Sequence, residues 1–255
     1  MRALAIVLVA GCGHLDFDPL AAADAPGDTA PGDTALDAHL VAWYQMEMIG
    51  SGTTPETVPD SSGNHHDGTC SDAATAYGCP LPVTGRIGGG YEFDGTDQQV
   101  VIHSTPQLEL PGAFTIAAWV KIENAPATRA CAATKGLGPD FYNSWALCIE
   151  TSQAVFFYTV TGTTESNLFS TATVATGTWH HVALTWDGTT KTIWLDGDSV
   201  ANEAATAVDF DSSSIYIGGD VDSGAPTALF PGDLDDLRIY DVALGPSEVL
   251  ALANP

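Results

Sequence analysis

The sequence predicts an all-β fold, a sandwich or barrel of antiparallel strands. Three observations carry that expectation. From about Leu40 onward, short apolar runs rich in Val, Ile, Thr, Phe, Trp and Tyr recur between clusters of Gly, Asp, Asn and Pro. Residues 114–122 alternate with period two. Asp-Gly pairs stand between consecutive apolar runs, which is a strong hairpin signal.

The elements follow in chain order. A first strand is expected at residues 42–48 and another at 100–103. In residues 114–122, Phe114, Ile116, Ala118, Val120 and Ile122 share one face, and Thr115, Ala117, Trp119 and Lys121 the other. That pattern puts one face on a core. Strands are expected at 145–150 and 155–160. The runs 179–186 and 191–195 pair across Asp187-Gly188-Thr189-Thr190, and Asp196-Gly197 makes the next turn. Strands at 215–218 and 237–240 complete the set. One helix is expected from Gly245-Pro246-Ser247-Glu248, where Pro fits a first turn and Val249 and Leu250 can pack back on a sheet.

A chain of 255 residues has room for one large all-β domain or two small ones. Its net charge is −25, with only seven Lys and Arg. Such a chain is repelled by nucleic acid and by anionic lipid surfaces, so neither is expected as a partner. The many Asp residues offer the hard oxygen ligands that Ca²⁺ takes.

The first eleven residues have the order of a secretory signal: Met-Arg, an apolar run of about eight residues, then Gly11 before Cys12. A membrane span needs roughly 20 apolar residues, so this run is expected to be cleaved and not to cross. Val9-Ala10-Gly11-Cys12 resembles the bacterial lipobox, which implies that Cys12 is the lipid anchor. Gly13 stands where enteric lipoproteins retained on the inner membrane carry Asp. That resemblance implies an outer-membrane or cell-surface location in the cell envelope. Residues 12–39 read as a disordered acidic tether: they repeat Ala-Pro-Gly-Asp-Thr and carry six Asp before His39 with no Lys or Arg.

Five Cys are present. Assigning Cys12 to lipid leaves Cys70, Cys79, Cys131 and Cys148, an even set for an oxidising compartment. Three pairings are possible, and 70–79 with 131–148 is favoured. A hairpin register with Lys135 opposite Ser144 puts Cys131 directly opposite Cys148, within disulfide reach.

Several phrases together resemble a LamG-like jellyroll domain of the concanavalin A-like lectin/glucanase superfamily. They are Trp43-Tyr-Gln-Met-Glu47, Asp60-Ser-Ser-Gly-Asn64, Tyr91-Glu-Phe-Asp-Gly95, the run 114–121, Trp179-His-His-Val-Ala183, Leu195-Asp-Gly197, Ile217-Gly-Gly219 and residues 230–240. The resemblance places the domain at 40–255, most typical at about 112–246. It implies a two-sheet antiparallel β-sandwich, a jellyroll of six or seven strands per sheet. It also implies one structural Ca²⁺, held by Glu47, Asp60 and Asn64 with Asp235 or Asp236, and carbonyls near Gly63.

Glucanases of that superfamily carry E-x-D-x-E on one strand. Here Glu92-Phe-Asp94 begins the pattern, but Thr96 ends it. Asp233-Leu-Asp235 also lacks the third acid. The pairs His65-His66 and His180-His181 point to opposite faces of a strand, so neither pair grips one ion. Tyr77, Phe141 and Tyr142 fall in expected loops, where aromatics stack on sugar rings. The expected function is a non-catalytic binding or adhesion module displayed at the surface, with a carbohydrate or protein ligand. The alternative is a polysaccharide-active hydrolase or lyase.

Overall fold

The computed structural model describes residues 36, 38–47, 57–70, 78–138 and 142–255. Cys12, Tyr77, Phe141 and residues 1–35 of the expected signal and tether lie outside the described residues. Eighteen strands and one α-helix are formed among the described residues. In chain order they begin with β1 (Leu40–Tyr44), β2 (Thr57–Val58), β3 (Gly68–Thr69), β4 (Leu81–Ile87), β5 (Gly89–Asp94) and β6 (Val100–Ile102). The centre of the chain supplies β7 (Phe114–Lys121), β8 (Ala130–Leu137), β9 (Tyr142–Ile149), β10 (Ala154–Thr161), β11 (Thr164–Thr173) and β12 (His180–Trp186). Next come β13 (Thr190–Leu195), β14 (Asp198–Ala204), β15 (Ile215–Ile217), β16 (Asp220–Asp222), β17 (Ala225–Thr227), β18 (Pro231–Tyr240) and α1 (Pro246–Leu252).

The first sheet has the order β14-β13-β12-β7-β18-β5-β4, with β1 also on β18. The second runs β11-β10-β9-β8-β15-β6-β3-β2. Every pairing between these strands is antiparallel. Each sheet therefore has eight strands, more than the six or seven the resemblance implies. In the second sheet the surplus is the two-residue strands β2 and β3, from the loops that follow β1. The β16–β17 hairpin stands apart from both sheets.

The two sheets close over one apolar core. Phe114 of the first sheet meets Phe157 of the second at 6.1 Å, with Trp186 and Phe210 at 5.7 and 6.0 Å. All the inward positions of residues 114–122 are buried, as the alternation requires. Removing one such side chain from water contributes roughly 1.5–3 kcal/mol. The outer face of β7 is covered too: Ala117, Ala183, Trp194 and Tyr240 form a second apolar cluster with Val249 and Leu252 of α1. The helix starts where Pro246 predicts, with the Gly245 N–H donating to Glu248 Oε2 at 2.6 Å. Leu250 does not pack back as expected; it is exposed, because helical spacing puts Val249 and Leu252 on the buried side.

One feature of β18 organises the region of the expected calcium ligands. Residues 231–234 pair with β5, whereas residues 237–240 pair with β1. The switch occurs at Asp235–Asp236, where the register against β7 slips and Asp236 takes φ 49°. A bulge of this kind re-aims side chains and lets a strand change partners.

Both expected disulfides form, Cys70–Cys79 and Cys131–Cys148. Cys131 lies directly opposite Cys148, but the expected register does not hold beyond it. Lys135 faces Trp145 and not Ser144, because Ala132 is a bulge residue unpaired with β9. Its carbonyl accepts the N–H of Gly218 instead.

Candidate functional site

A groove of about 530 Å³ lies on the outer face of the second sheet. Its floor follows from strand alternation. On β10, Val155 and Phe157 point into the sandwich, so Phe156, Tyr158 and Val160 point out. On β9, Trp145, Leu147 and Ile149 point in, so Ala146 and Cys148 point out. The small side chains of Ala146 and the Cys131–Cys148 bridge thus sit beside two large aromatics, and the difference in height makes the concavity.

The edge strand β11 supplies one wall. Leu168 points inward, which turns Glu165, Asn167 and Phe169 outward. Phe169 pairs with Phe156 across the strands, and their rings lie 4.9 Å apart at 31°. Phe169 remains 46% exposed. Arg129 stacks over the other side of the floor, its guanidinium 3.7 Å from the Phe156 ring centroid, while its Nε donates to Glu150 Oε1.

The β16–β17 hairpin supplies the opposite wall. Asp220 is buried and accepts a hydrogen bond from Asn143 Nδ2 at 2.8 Å and another from the Val221 N–H. Burial raises its pKa, against the pull of those donors. Asp222 Oδ2 accepts from Thr227 Oγ1 at 3.1 Å. Tyr158 is 7% exposed, and its hydroxyl has no partner among the described residues. Burial raises its pKa, and the nearby acids Glu165, Asp220 and Asp222 push the same way.

Of the aromatics the sequence singled out, Tyr142 reaches this region. It opens β9, half-buried, and packs on the apolar cluster under the groove. The residues that build the groove were missed. Their signal was present: residues 154–160 are apolar on both alternating faces, and Phe169 shares a face with Glu165 and Asn167. An aromatic in a polar phase, beside a strand apolar on both faces, marks a loaded outer surface.

The four expected calcium ligands fall into two clusters. Asp60 sits in the loop along the edge of β1 that faces away from β18. Its Oδ1 accepts the N–H groups of Trp43 and Ser62, both at 2.9 Å, and its Oδ2 accepts from the His66 N–H and Ser62 Oγ. Burial would raise its pKa, but these donors outweigh it and hold the carboxyl below the usual range. Asn64 Nδ2 donates to the carbonyls of Leu40 and Val41. Glu47 and Asp235 instead grip the β4–β5 turn. Glu47 Oε2 accepts the Gly89 N–H at 2.9 Å, and Asp235 Oδ2 the Ile87 N–H at 2.8 Å. Asp235 is fully buried, and burial pushes its pKa up to about 7. The alternative ligand Asp236 accepts from Trp43 Nε1 at 2.6 Å and Arg238 Nε at 3.0 Å. Glu47 and Asp235 hold one turn while Asp60 and Asn64 lie on another loop, each already bound to backbone or its neighbours, and the four do not fit a single ion. Among the described residues, no three His, Cys, Asp or Glu side chains gather as a metal group.

Nor do the expected acids meet in the groove. Glu92 is exposed on β5, in the first sheet, and Asp94 caps its own turn through the N–H of Thr96 at 2.7 Å. Asp233 pairs with Lys121 Nζ at 3.2 Å. The His180–His181 pair divides as expected, whereas His65–His66 lies in a loop with His65 at φ 61° and not on a strand. His180 Nδ1 contacts Asp196 Oδ2 at 2.8 Å, whereas His181 is buried edge-on against Trp119.

Similar folds are widespread among solved structures. Domain 4 of AbnA, an extracellular arabinanase from Geobacillus stearothermophilus solved with arabinotriose, matches with TM-score 0.65 and 21% identity, covering 85% of this chain and 98% of that one. The binding domain of Paraclostridial Mosquitocidal Protein 1 matches with TM-score 0.65 and 15% identity, over 86% of this chain and 52% of that one. Trypanosoma rangeli sialidase matches with TM-score 0.63 and 21% identity, over 85% of this chain and 32% of the enzyme. The chain thus spans about half of the mosquitocidal binding domain and a third of the sialidase. No curated protein matches it by sequence. Residues 94–250 match the family described as the concanavalin A-like lectin/glucanases superfamily, and the chain belongs to that superfamily.

Proposed function

We propose that this domain is a non-catalytic carbohydrate-binding module that holds its ligand in the groove over β8–β11. The observation that carries the reading is the Phe156–Phe169 pair, which presents a half-exposed aromatic face beside hydrogen-bonding groups. A sugar ring offers an apolar face for the aromatic and hydroxyls for Asn143, Asn167 and Tyr158. The solved arabinanase domain, with its arabinotriose, supports a sugar as the ligand class. A non-catalytic role fits the separation of Glu92 and Asp94 from this groove, on the other sheet. A lipid anchor at Cys12 and display on the cell surface belong to the same proposal. They are supported by the lipobox-like start and by the two disulfides, which use the other four Cys.

The test is a glycan array probed with wild type and Phe169→Ala. Binding to one or more glycans that the variant loses supports the reading. Silence of the wild type, or binding that the variant leaves unchanged, overturns it.

A further inference from the structure

The groove's charge is lopsided. Among the described residues, three carboxylates, Glu165, Asp220 and Asp222, line it against one cation, Arg129. That cation is committed twice, to the Glu150 carboxylate and to the face of Phe156. It is therefore poorly placed to receive an anionic ligand group. Two of the carboxylates are less fully engaged. Asp222 is half-buried and holds one hydroxyl, that of Thr227. Glu165 is exposed on the edge strand. All three acids line the same groove as Tyr158, and each pushes its pKa up. In the same groove the buried hydroxyl of Tyr158 lacks a partner among the described residues, which points independently to a ligand group at that spot. A buried hydroxyl left unpaired carries a desolvation cost, and a bound polar group removes that cost.

We infer that the groove selects amino sugars: a sugar ring stacks on Phe169 while its protonated amine faces the carboxylates around Tyr158. The inference rests on the carbohydrate reading above. It gives that reading a sign: neutral acetylated sugars bind more weakly, and uronic or sialic acids are excluded by like charge.

Isothermal titration tests it with three soluble tetramers: glucosamine, N-acetylglucosamine and galacturonic acid. Weakly acidic buffer keeps the amine protonated. The wild type is expected to bind the glucosamine tetramer at least about tenfold tighter than the acetylated one, with no galacturonate binding. Asp222→Asn should narrow that ratio to about twofold, since an isosteric amide keeps the contact to Thr227 and removes the charge. Phe169→Ala should weaken both sugars alike. Equal binding of the amine and acetyl tetramers, or a ratio untouched by Asp222→Asn, overturns the charge selectivity. The groove reading survives that result if Phe169→Ala still weakens binding. Saccharide binding indifferent to Phe169→Ala overturns the groove reading itself. Tetralysine bound as tightly as the glucosamine tetramer would assign the groove to a basic peptide and overturn the sugar.

Discussion

Phe156 and Phe169 face each other across adjacent strands with ring centroids 4.9 Å apart, yet one is 1% exposed and the other 46%. The pair has a buried half and an open half, so substitution separates its two roles. Phe156→Ala opens a cavity in a packed surface cluster and is expected to cost about 3–5 kcal/mol of stability. Phe169→Ala removes mostly accessible surface. It is expected to cost under about 1 kcal/mol of stability while weakening saccharide binding about tenfold. Denaturant melts beside titrations check the split. Equal stability losses would mean that the exposed ring is structural.

Asp60 makes a second prediction. Its carboxylate accepts three backbone N–H groups and one hydroxyl, which fills its roughly four acceptor sites. Asp60→Ala leaves the N–H groups of Trp43, Ser62 and His66 without that acceptor and is expected to cost about 2–4 kcal/mol. Because protein donors supply the whole load, the loss should be the same in calcium and in chelator. Calorimetry in both buffers decides. A loss seen only in calcium would make Asp60 a metal ligand.

How much of this was legible in the sequence depends on periodicity. The strand at 114–121, the β12–β13 hairpin and the helix at Pro246 were readable because each has a local signal: alternation, Asp-Gly, and Pro in a first turn. The edge strand β11 was not, because its run Thr164-Glu-Ser-Asn is polar and only tertiary pairing makes it a strand. The groove was hidden for the opposite reason. Both faces of residues 154–160 are apolar, so alternation cannot say which faces the core. Of the expected loop aromatics, Tyr142 alone lies among the described residues, and it packs beside the groove. The expected calcium set grouped residues by resemblance, whereas the bulge at Asp235–Asp236 and the β4–β5 turn divide them.

Gly218 offers a sharper test of packing. It takes φ +84°, and a Cβ built there would lie 2.2 Å from Phe93 Cδ1, on a ring 1% exposed. Its N–H donates to the bulge carbonyl of Ala132, and its carbonyl accepts from Phe230. Neither the ring nor the backbone can yield cheaply. Gly218→Ala is expected to cost roughly 3 kcal/mol, as strain at positive φ adds to overpacking. Gly112→Ala, with nothing within 4 Å, should be near neutral. Comparable losses in chemical denaturation would show that the Gly218 site relaxes.

The last prediction concerns pH. His181 is buried, and that burial, with Arg238 nearby, holds its pKa at about 4 although Asp196 pulls the other way. An unfolded histidine titrates near ~6.5. Between those values the unfolded chain binds a proton that the folded chain refuses, so stability falls as pH drops from about 6.5 to about 4. The full contribution is on the order of 3 kcal/mol. Asp235 works in the opposite sense. Its carboxyl stays protonated in the folded chain up to about 7, so its share of stability falls as pH rises toward that value. The two slopes partly cancel in the wild type, which makes the raw pH profile a poor test. The difference from His181→Phe is a good one, because phenylalanine keeps the edge contact with Trp119, now 5.4 Å between centroids, and cannot titrate. Urea melts across this range should show the variant losing less stability on acidification than the wild type, by a few kcal/mol. Parallel profiles for the two proteins would mean that His181 is protonated without cost, and that its burial is relieved by water or by movement of Arg238.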